Sequence, residues 1–436
     1  MYKDIARQML DFIDNSPSCF HAIANAAGML TGYTRLYEDQ PWELEAGGSY
    51  YVTRNDSSLI AFRIPMSMPR GFNMAAAHSD SPTFKIKPGA EMEAAGAYRK
   101  LNVEKYGGVI MNTWMDRPLS VAGRIVTQEN GRLVSRLVNA DRDLLLIPNL
   151  AIHFNKEIND GYKYNPQVDL CPLFSSKDSE ATLMKIVAEA AGVKEEDILG
   201  SDLFLYNREI GTVWGGDEEY VSSRALDDLQ CVWSLIRGFA DAELPEDIIP
   251  VCAIMDNEEV GSLSRQGADS TFLIDTLERV HGALGTDLPL SAMLAGSFMI
   301  SADNAHAVHP NHPEIADPVS QPKMNEGIVL KFNASQKYTT DGVSAAIFRK
   351  LCRDNDIPVQ LFANRSDLAG GSTLGNLSNR HVSVRSVDIG LPQLAMHSVY
   401  ETAGVKDTAY LMEAAKAYFS GWDTRTAEVL RSPLKY

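Results

Sequence analysis

The sequence predicts an α/β protein: a mixed sheet with helices on both faces, carrying an inserted, mostly β segment. Three observations predict it. Between residues 220 and 436, apolar strand candidates alternate with segments of helical period. Residues 49–77 hold three strand-like runs. Residues 89–219 change texture to short alternating strands with Gly and Pro turns. At 436 residues the chain exceeds what one core usually organises, which suits a main domain plus an insertion. The expected division is 1–88 and 220–436 for the two parts of the main domain, with 89–219 between them.

Taken in order, residues 5–13 have helical spacing, and S-P-S at 16–18 stops the helix. S-Y-Y-V-T-R (49–54), S-L-I-A-F-R-I (58–64) and F-N-M-A-A-A (72–77) read as strands of one sheet. In the insertion, 107–114 and 119–126 read as strands, and one helix is expected at roughly 179–191. Residues 222–240 then place apolar side chains at 226, 229, 232, 233, 236 and 239, a helical period. Strands at 249–255, 298–301, 327–332, 359–362 and 382–390 alternate with helices near 269–281, 342–353 and 407–419. No internal repeat or low-complexity tract occurs.

The formal charge of -17 opposes nucleic-acid backbones and anionic membranes, and no basic cluster reverses it, so neither partner is expected. The five cysteines are widely spaced and form no C-x-x-C, which predicts reduced core thiols rather than a zinc ribbon. The start, M-Y-K-D-I-A-R-Q-M-L-D-F-I-D-N, lacks the apolar core of a signal peptide. No run of eighteen apolar residues occurs either, so the expectation is a soluble, cytoplasmic protein.

Unusual polar residues gather at the ends of the predicted strands, where open α/β sheets place their functional groups. F-N-M-A-A-A leads to His78 and Asp80. V-C-A-I-M leads to Asp256, Glu258 and Glu259, and S-F-M-I-S-A leads to Asp303, with His306 and His309 beyond. The last run, through L-P-Q-L-A-M, leads to His397, while Asp227 and Asp228 open a helix. Taken singly, each has an ordinary explanation: a core histidine, a helix-start acid or a turn aspartate. Their convergence argues otherwise. His78, Asp227, Glu259, Asp303 and His397 supply imidazoles and carboxylates suited to Zn²⁺, with Mn²⁺ or Co²⁺ as substitutes. A second metal becomes reasonable if one carboxylate bridges, and Glu258 is then spare to act as general base on water.

A-A-H-S-D-S-P, S-R-A-L-D-D-L, M-D-N-E-E-V-G-S, S-A-D-N-A-H-A-V-H-P-N and L-A-M-H-S resemble, in order, the motifs of the aspartyl aminopeptidase and vacuolar aminopeptidase I family. N-S-P-S-C-F-H-A, I-P-N-L-A-I-H-F and G-G-S-T-L-G agree as well, so the likeness runs from about residue 15 to 402. The resemblance implies a zinc-peptidase-like catalytic domain and two zinc ions per subunit, bridged by Asp227. His78 and Asp303 would complete one site, and Glu259 and His397 the other. It also implies Glu258 as base, Asp80 as the carboxylate orienting His78, and peptides with a free N-terminus as substrates. Lys331 would lie in the pocket for an acidic first residue. The insertion would be a dimerisation domain, with His153 reaching the partner's substrate in a dodecamer built from dimers. Two positions depart from the family: Tyr400 stands where an arginine is expected, and Asn376 where proline is usual. On the residues alone two alternatives stay open, a catalytically silent oligomeric scaffold and a metal-dependent hydrolase of another amide or glycosidic bond.

Overall fold

The computed structural model describes residues 1–422 except 369 and 372; residues 423–436, the end of the expected main domain, lie outside the described residues. Strands Phe72–His78 and Ile249–Met255 are buried at every position, as strands covered on both faces must be. They lie at the centre of a nine-stranded sheet. Its order is Thr34–Leu36, Ser49–Arg54, Ser58–Arg63, Ile249–Met255, Phe72–His78, Phe298–Ala302, Arg385–Gly390, Ile328–Phe332 and Val359–Ala363. Ile249–Met255, Phe72–His78, Phe298–Ala302 and Arg385–Gly390 run parallel, so their carboxyl ends share one edge of the sheet.

Helices cover both faces. Tyr2–Asp14, Cys19–Met29, Leu226–Asp241 and Asp407–Phe419 pack one core around Leu229, Phe239 and Tyr418. Phe272–Leu284 and Leu290–Ala295 pack the other around Phe62, Phe72 and Met299. The mixed α/β class read from the pattern is the architecture found. Among the described residues no helix is long and apolar enough to cross a membrane.

A six-stranded antiparallel sheet is built from Arg132–Asn139, Leu119–Glu129, Ile198–Asn207, Thr83–Ala94, Tyr98–Tyr106 and Leu173–Ser176. It has its own core, including Phe84, Leu101, Trp114, Val121 and Leu203. The chain enters this sheet at Thr83, ahead of the change in texture at residue 89. The helix read at 179–191 begins at Leu183, because Thr182 caps it by accepting from the Lys185 N–H; left-handed Gly192 ends it. Residues 107–114 are not a strand. Gly107 has φ +75° and turns the chain out of the sheet, and Met111–Trp114 forms a short 3-10 turn. A small sheet of Thr212–Trp214, Tyr220–Ser223, Glu401–Gly404, Pro392–Leu394 and Ala305–His306 completes the described strands.

Candidate metal centre

His78 is the last residue of its strand and stands in register with Met255 on the neighbouring strand. Two residues past Met255, Asn257 adopts a left-handed conformation (φ 62°), and a short turn, Glu258–Val260, carries the two glutamates. Asp303 follows Phe298–Ala302 and is fixed by its N–H donating to the Ile389 carbonyl. Asp227 and Asp228 have non-helical torsions at the start of Leu226–Asp241, so they precede the regular helix rather than belonging to it. His397, also left-handed (φ 67°), sits in the bend after Pro392–Leu394.

These segments bring the candidate ligands together. His78, Asp227 and Asp303 form one group and Asp227, Glu259 and His397 a second, with the potential ligand atoms of each group within 4.8 Å of one another. His78, Glu258 and Glu259 form a third. Asp227 Oδ1 lies 3.4 Å from His78 Nε2, and its Oδ2 lies 3.4 Å from His397 Nε2. His397 Nε2 is also 3.4 Å from Glu259 Oε1. These separations are longer than good hydrogen bonds, and the buried Asp227 Oδ1 has no hydrogen-bond partner. The donor set suits zinc. Electrostatics agree. Burial, with Asp303, Glu259 and Asp80 nearby, pushes Glu258 up to about 9 despite His78. Burial and the Asp227 charge raise Glu259 to about 7. Burial opposes charge on His397, yet Asp227 and Glu259 hold it at about 11. So many buried carboxylates are costly without a cation among them.

A family model described as aminopeptidase I zinc metalloprotease (M18) matches residues 12–419. The chain belongs to the M18 family. It is a zinc-dependent aminopeptidase, and of the readings the sequence left open this is the one the family carries. A probable M18 family aminopeptidase 2 of Clostridium acetobutylicum is 44% identical over 428 residues, spanning 96% of this chain and 99% of its own. Among solved structures, that of the Ape4 and Nbr1 complex matches with a TM-score of 0.95 and 34% identity, over 99% of this chain and 88% of the other. The S. cerevisiae mApe1 dodecamer matches with a TM-score of 0.88 and 27% identity, over 99% and 100%.

Around the candidate ligand cluster lies a layer of positioning contacts. Asp80 is buried; its carboxylate accepts from the Glu258 and Glu259 N–H groups (3.1 and 3.2 Å) and from the Tyr106 hydroxyl (2.7 Å). His78 Nδ1 donates to the Asp80 carbonyl (3.0 Å), which leaves Nε2 free to accept a metal. Glu401, also buried, accepts from the Asp227 N–H (3.0 Å) and the His397 N–H (2.6 Å), fixing two candidate ligands through their backbone. Sequence reasoning assigns Glu401 no role, although M-H-S-V-Y-E marks its position. It misses Tyr106 and Asn257 altogether; the Gly-Gly pair after Tyr106 is the available signal of a close approach. Tyr400 donates to the Ile210 carbonyl (2.7 Å), away from the ligands.

A cavity of about 220 Å³ opens on the cluster and is also lined by His306, Lys331, Tyr338, Phe362 and Thr373. Lys331 is only 3% exposed. Its Nζ donates to the Asn304 carbonyl (2.8 Å), lies 3.5 Å from Asp303 Oδ1 and stands 5.5 Å from the Tyr338 ring centre. His153 does not line this cavity within its own chain. It is exposed on a loop that also exposes Leu150, Ile152 and, at 84%, Phe154.

Proposed function

We propose that the chain removes N-terminal residues, including Asp and Glu, from peptides at a dinuclear zinc centre bridged by Asp227. The observation that carries the reading is the membership of Asp227 in two ligand groups, with one oxygen facing each imidazole. His78 and Asp303 would hold one ion, Glu259 and His397 the other. When bound, zinc supplies Lewis acidity for the scissile carbonyl and makes water nucleophilic near neutral pH. Glu258, which the cations of a filled site would return to its ionised form, takes the proton that water loses as it attacks, and gives it to the leaving amide nitrogen, so one base serves both half-reactions. Its place is held by the bond from its N–H to Asp80. Asp80 orients His78 through its backbone carbonyl rather than, as expected, its carboxylate, which instead holds the Glu258–Glu259 turn. Lys331 would meet an acidic first side chain in the cavity beside Asp303.

We read 89–219 as a dimerisation domain and the assembly as a homo-oligomer, a dodecamer built from dimers, by likeness to the S. cerevisiae mApe1 dodecamer. The apolar loop around His153 supports this, because Leu150, Ile152 and Phe154 are large side chains left exposed together. In that dimer His153 would reach the partner's substrate. The free cysteines, four of them buried, suit a reducing compartment such as the cytoplasm. Metal analysis and a screen of aminoacyl anilides against their N-acetylated forms test the proposal. Two zinc ions per chain, activity lost on chelation and inert acetylated substrates are expected; full activity in chelated protein would overturn it.

A further inference from the structure

The strand Tyr98–Tyr106 leaves the six-stranded sheet against the metal centre, and from Tyr106 to Thr113 the chain meets Asp80, Asn257, Glu259, His397 and Val399. Tyr106 packs edge-on to Phe204, their ring centres 5.5 Å apart, and sends its hydroxyl between Asp80 and Asn257. The direction of these bonds is fixed. Asn257 Oδ1 accepts from Ser264 Oγ (2.7 Å) and Gln266 Nε2 (2.8 Å), so its NH₂ is the group facing Tyr106. An NH₂ only donates, so the phenol oxygen accepts there (2.8 Å) and its own hydrogen goes to Asp80 (2.7 Å). Asp80 and Asn257 flank the turn that carries Glu258 and Glu259.

The next residues seat His397. The Gly108 carbonyl accepts from His397 Nδ1 (3.0 Å), the Ile110 N–H donates to the His397 carbonyl (3.0 Å), and Thr113 Oγ1 accepts from the Val399 N–H (3.1 Å). A side chain would crowd its neighbours here. A Cβ on Gly107, already at φ +75°, would stand 3.1 Å from Glu259 Cβ, and one on Gly108 would stand 3.2 Å from His397 Nδ1.

We propose that residues 106–113, beyond their place in the six-stranded layer, are a positioning element of the metal centre: Tyr106 holds Asp80 and Asn257, and Gly108 presents His397. This rests on the reading of His78, Glu259 and His397 as zinc ligands. The six-stranded layer is thereby part of the active site and not only a surface for a second subunit.

Tyr106→Phe keeps the ring against Phe204 and removes only the hydroxyl. Zinc affinity, measured by chelator competition on the folded protein, should fall about 10–100-fold, the usual effect of losing a contact behind a ligand. The value of kcat should fall with KM little changed. In an Asp80→Asn background the same change should add less than it does alone, because the two groups share the Tyr106–Asp80 hydrogen bond while the Asn257 contact is separate. Tyr206→Phe is the control: it removes a hydroxyl bonded to Asn139 Oδ1 (2.7 Å) in the same sheet and should leave zinc affinity unchanged. Wild-type zinc affinity in Tyr106→Phe, equal loss in Tyr206→Phe, or additive effects with Asp80→Asn would each overturn the proposal. If Tyr106→Phe does not fold, Gly108→Ala asks the same of His397, and unaltered zinc affinity there overturns it. A wild-type protein that binds no zinc would instead sink the metal reading itself, so the two failures are distinguishable.

Discussion

Lys331→Met separates two jobs given to one buried ammonium. An ammonium has three N–H donors; the Asn304 carbonyl takes one and Asp303 lies 3.5 Å away as an ion-pair partner, so a donor remains for an acidic substrate side chain. With Nζ 3.5 Å from Asp303 Oδ1, an effective dielectric of about 20 gives an attraction of about 5 kcal/mol. Breaking such a buried pair costs about 3–5 kcal/mol. Zinc on Asp303 replaces the missing cation, so the loss should appear in urea unfolding of chelated protein and be smaller with zinc bound. The substrate contact is separate. A charge-assisted hydrogen bond contributes about 1.5–3 kcal/mol, so the ratio of kcat/KM for aspartyl over leucyl anilide should drop about 10- to 150-fold. Zinc content should stay near wild type. A wild-type enzyme that prefers leucyl to both acidic substrates would refute the pocket, and unchanged unfolding of the chelated variant would refute the ion pair.

Three further outcomes are expected. Glu258→Gln should keep near-normal zinc and lose about two to four orders of magnitude in turnover, while Glu259→Gln should lose metal; equal metal loss in both contradicts the assignment. His153→Phe and Glu258→Gln should each be inactive, yet random co-assembly should restore roughly a quarter of wild-type sites, because a two-fold dimer rebuilds one site per mixed pair. Activity measured with demonstrated mixing checks this. Burial, with Arg224 nearby, lowers His21 to about 4, and its Nδ1 lies 2.8 Å from Ser18 Oγ. Its contribution is intact above the unfolded value of about 6.5 and is lost as pH falls from there towards 4. His21→Gln should therefore flatten the change in urea midpoint between pH 7 and 5.

The candidate ligand positions stand out in the sequence because most of them lie at the end of an apolar run and Asp227 lies at the start of a helical one. Phe72–His78 and Ile249–Met255 are near-continuous apolar runs, so a histidine or paired glutamates at their ends stand out. The groups that support those ligands are not legible. Tyr106 meets Asn257 across 151 positions of sequence, and Glu401 meets Asp227 across 174, distances at which periodicity carries no information. Residues 107–114 read as a strand because Val, Ile and Trp follow the glycines. The Gly107 torsion and the closeness of Glu259 and His397 override that preference. Lys331 reads as a strand lysine near a pocket, and only the fold reveals that it is buried against Asp303.

The same contacts bear on where the six-stranded sheet stands in the chain. The six-stranded sheet starts at Thr83, directly after Asp80, and Tyr220–Ser223 returns the chain just before Asp227. Both junctions therefore flank the ligand cluster, and Tyr106 adds a third point of attachment between them. A layer joined at one edge could tilt without disturbing the centre. Joined at three points around it, any tilt must move Asp80, the Glu258–Glu259 turn or His397, to which it is hydrogen-bonded. On the proposed ligand set, rigid seating of this layer would be a condition for ligand geometry, since metal sites depend on the groups behind them as much as on the ligands. A partner subunit docked on the exposed Leu150, Ile152 and Phe154 loop would press on that same layer. Assembly and metal retention would then be coupled through residues 106–113, and dilution to separated subunits should loosen zinc in the wild type and less in Tyr106→Phe, which has already lost that link.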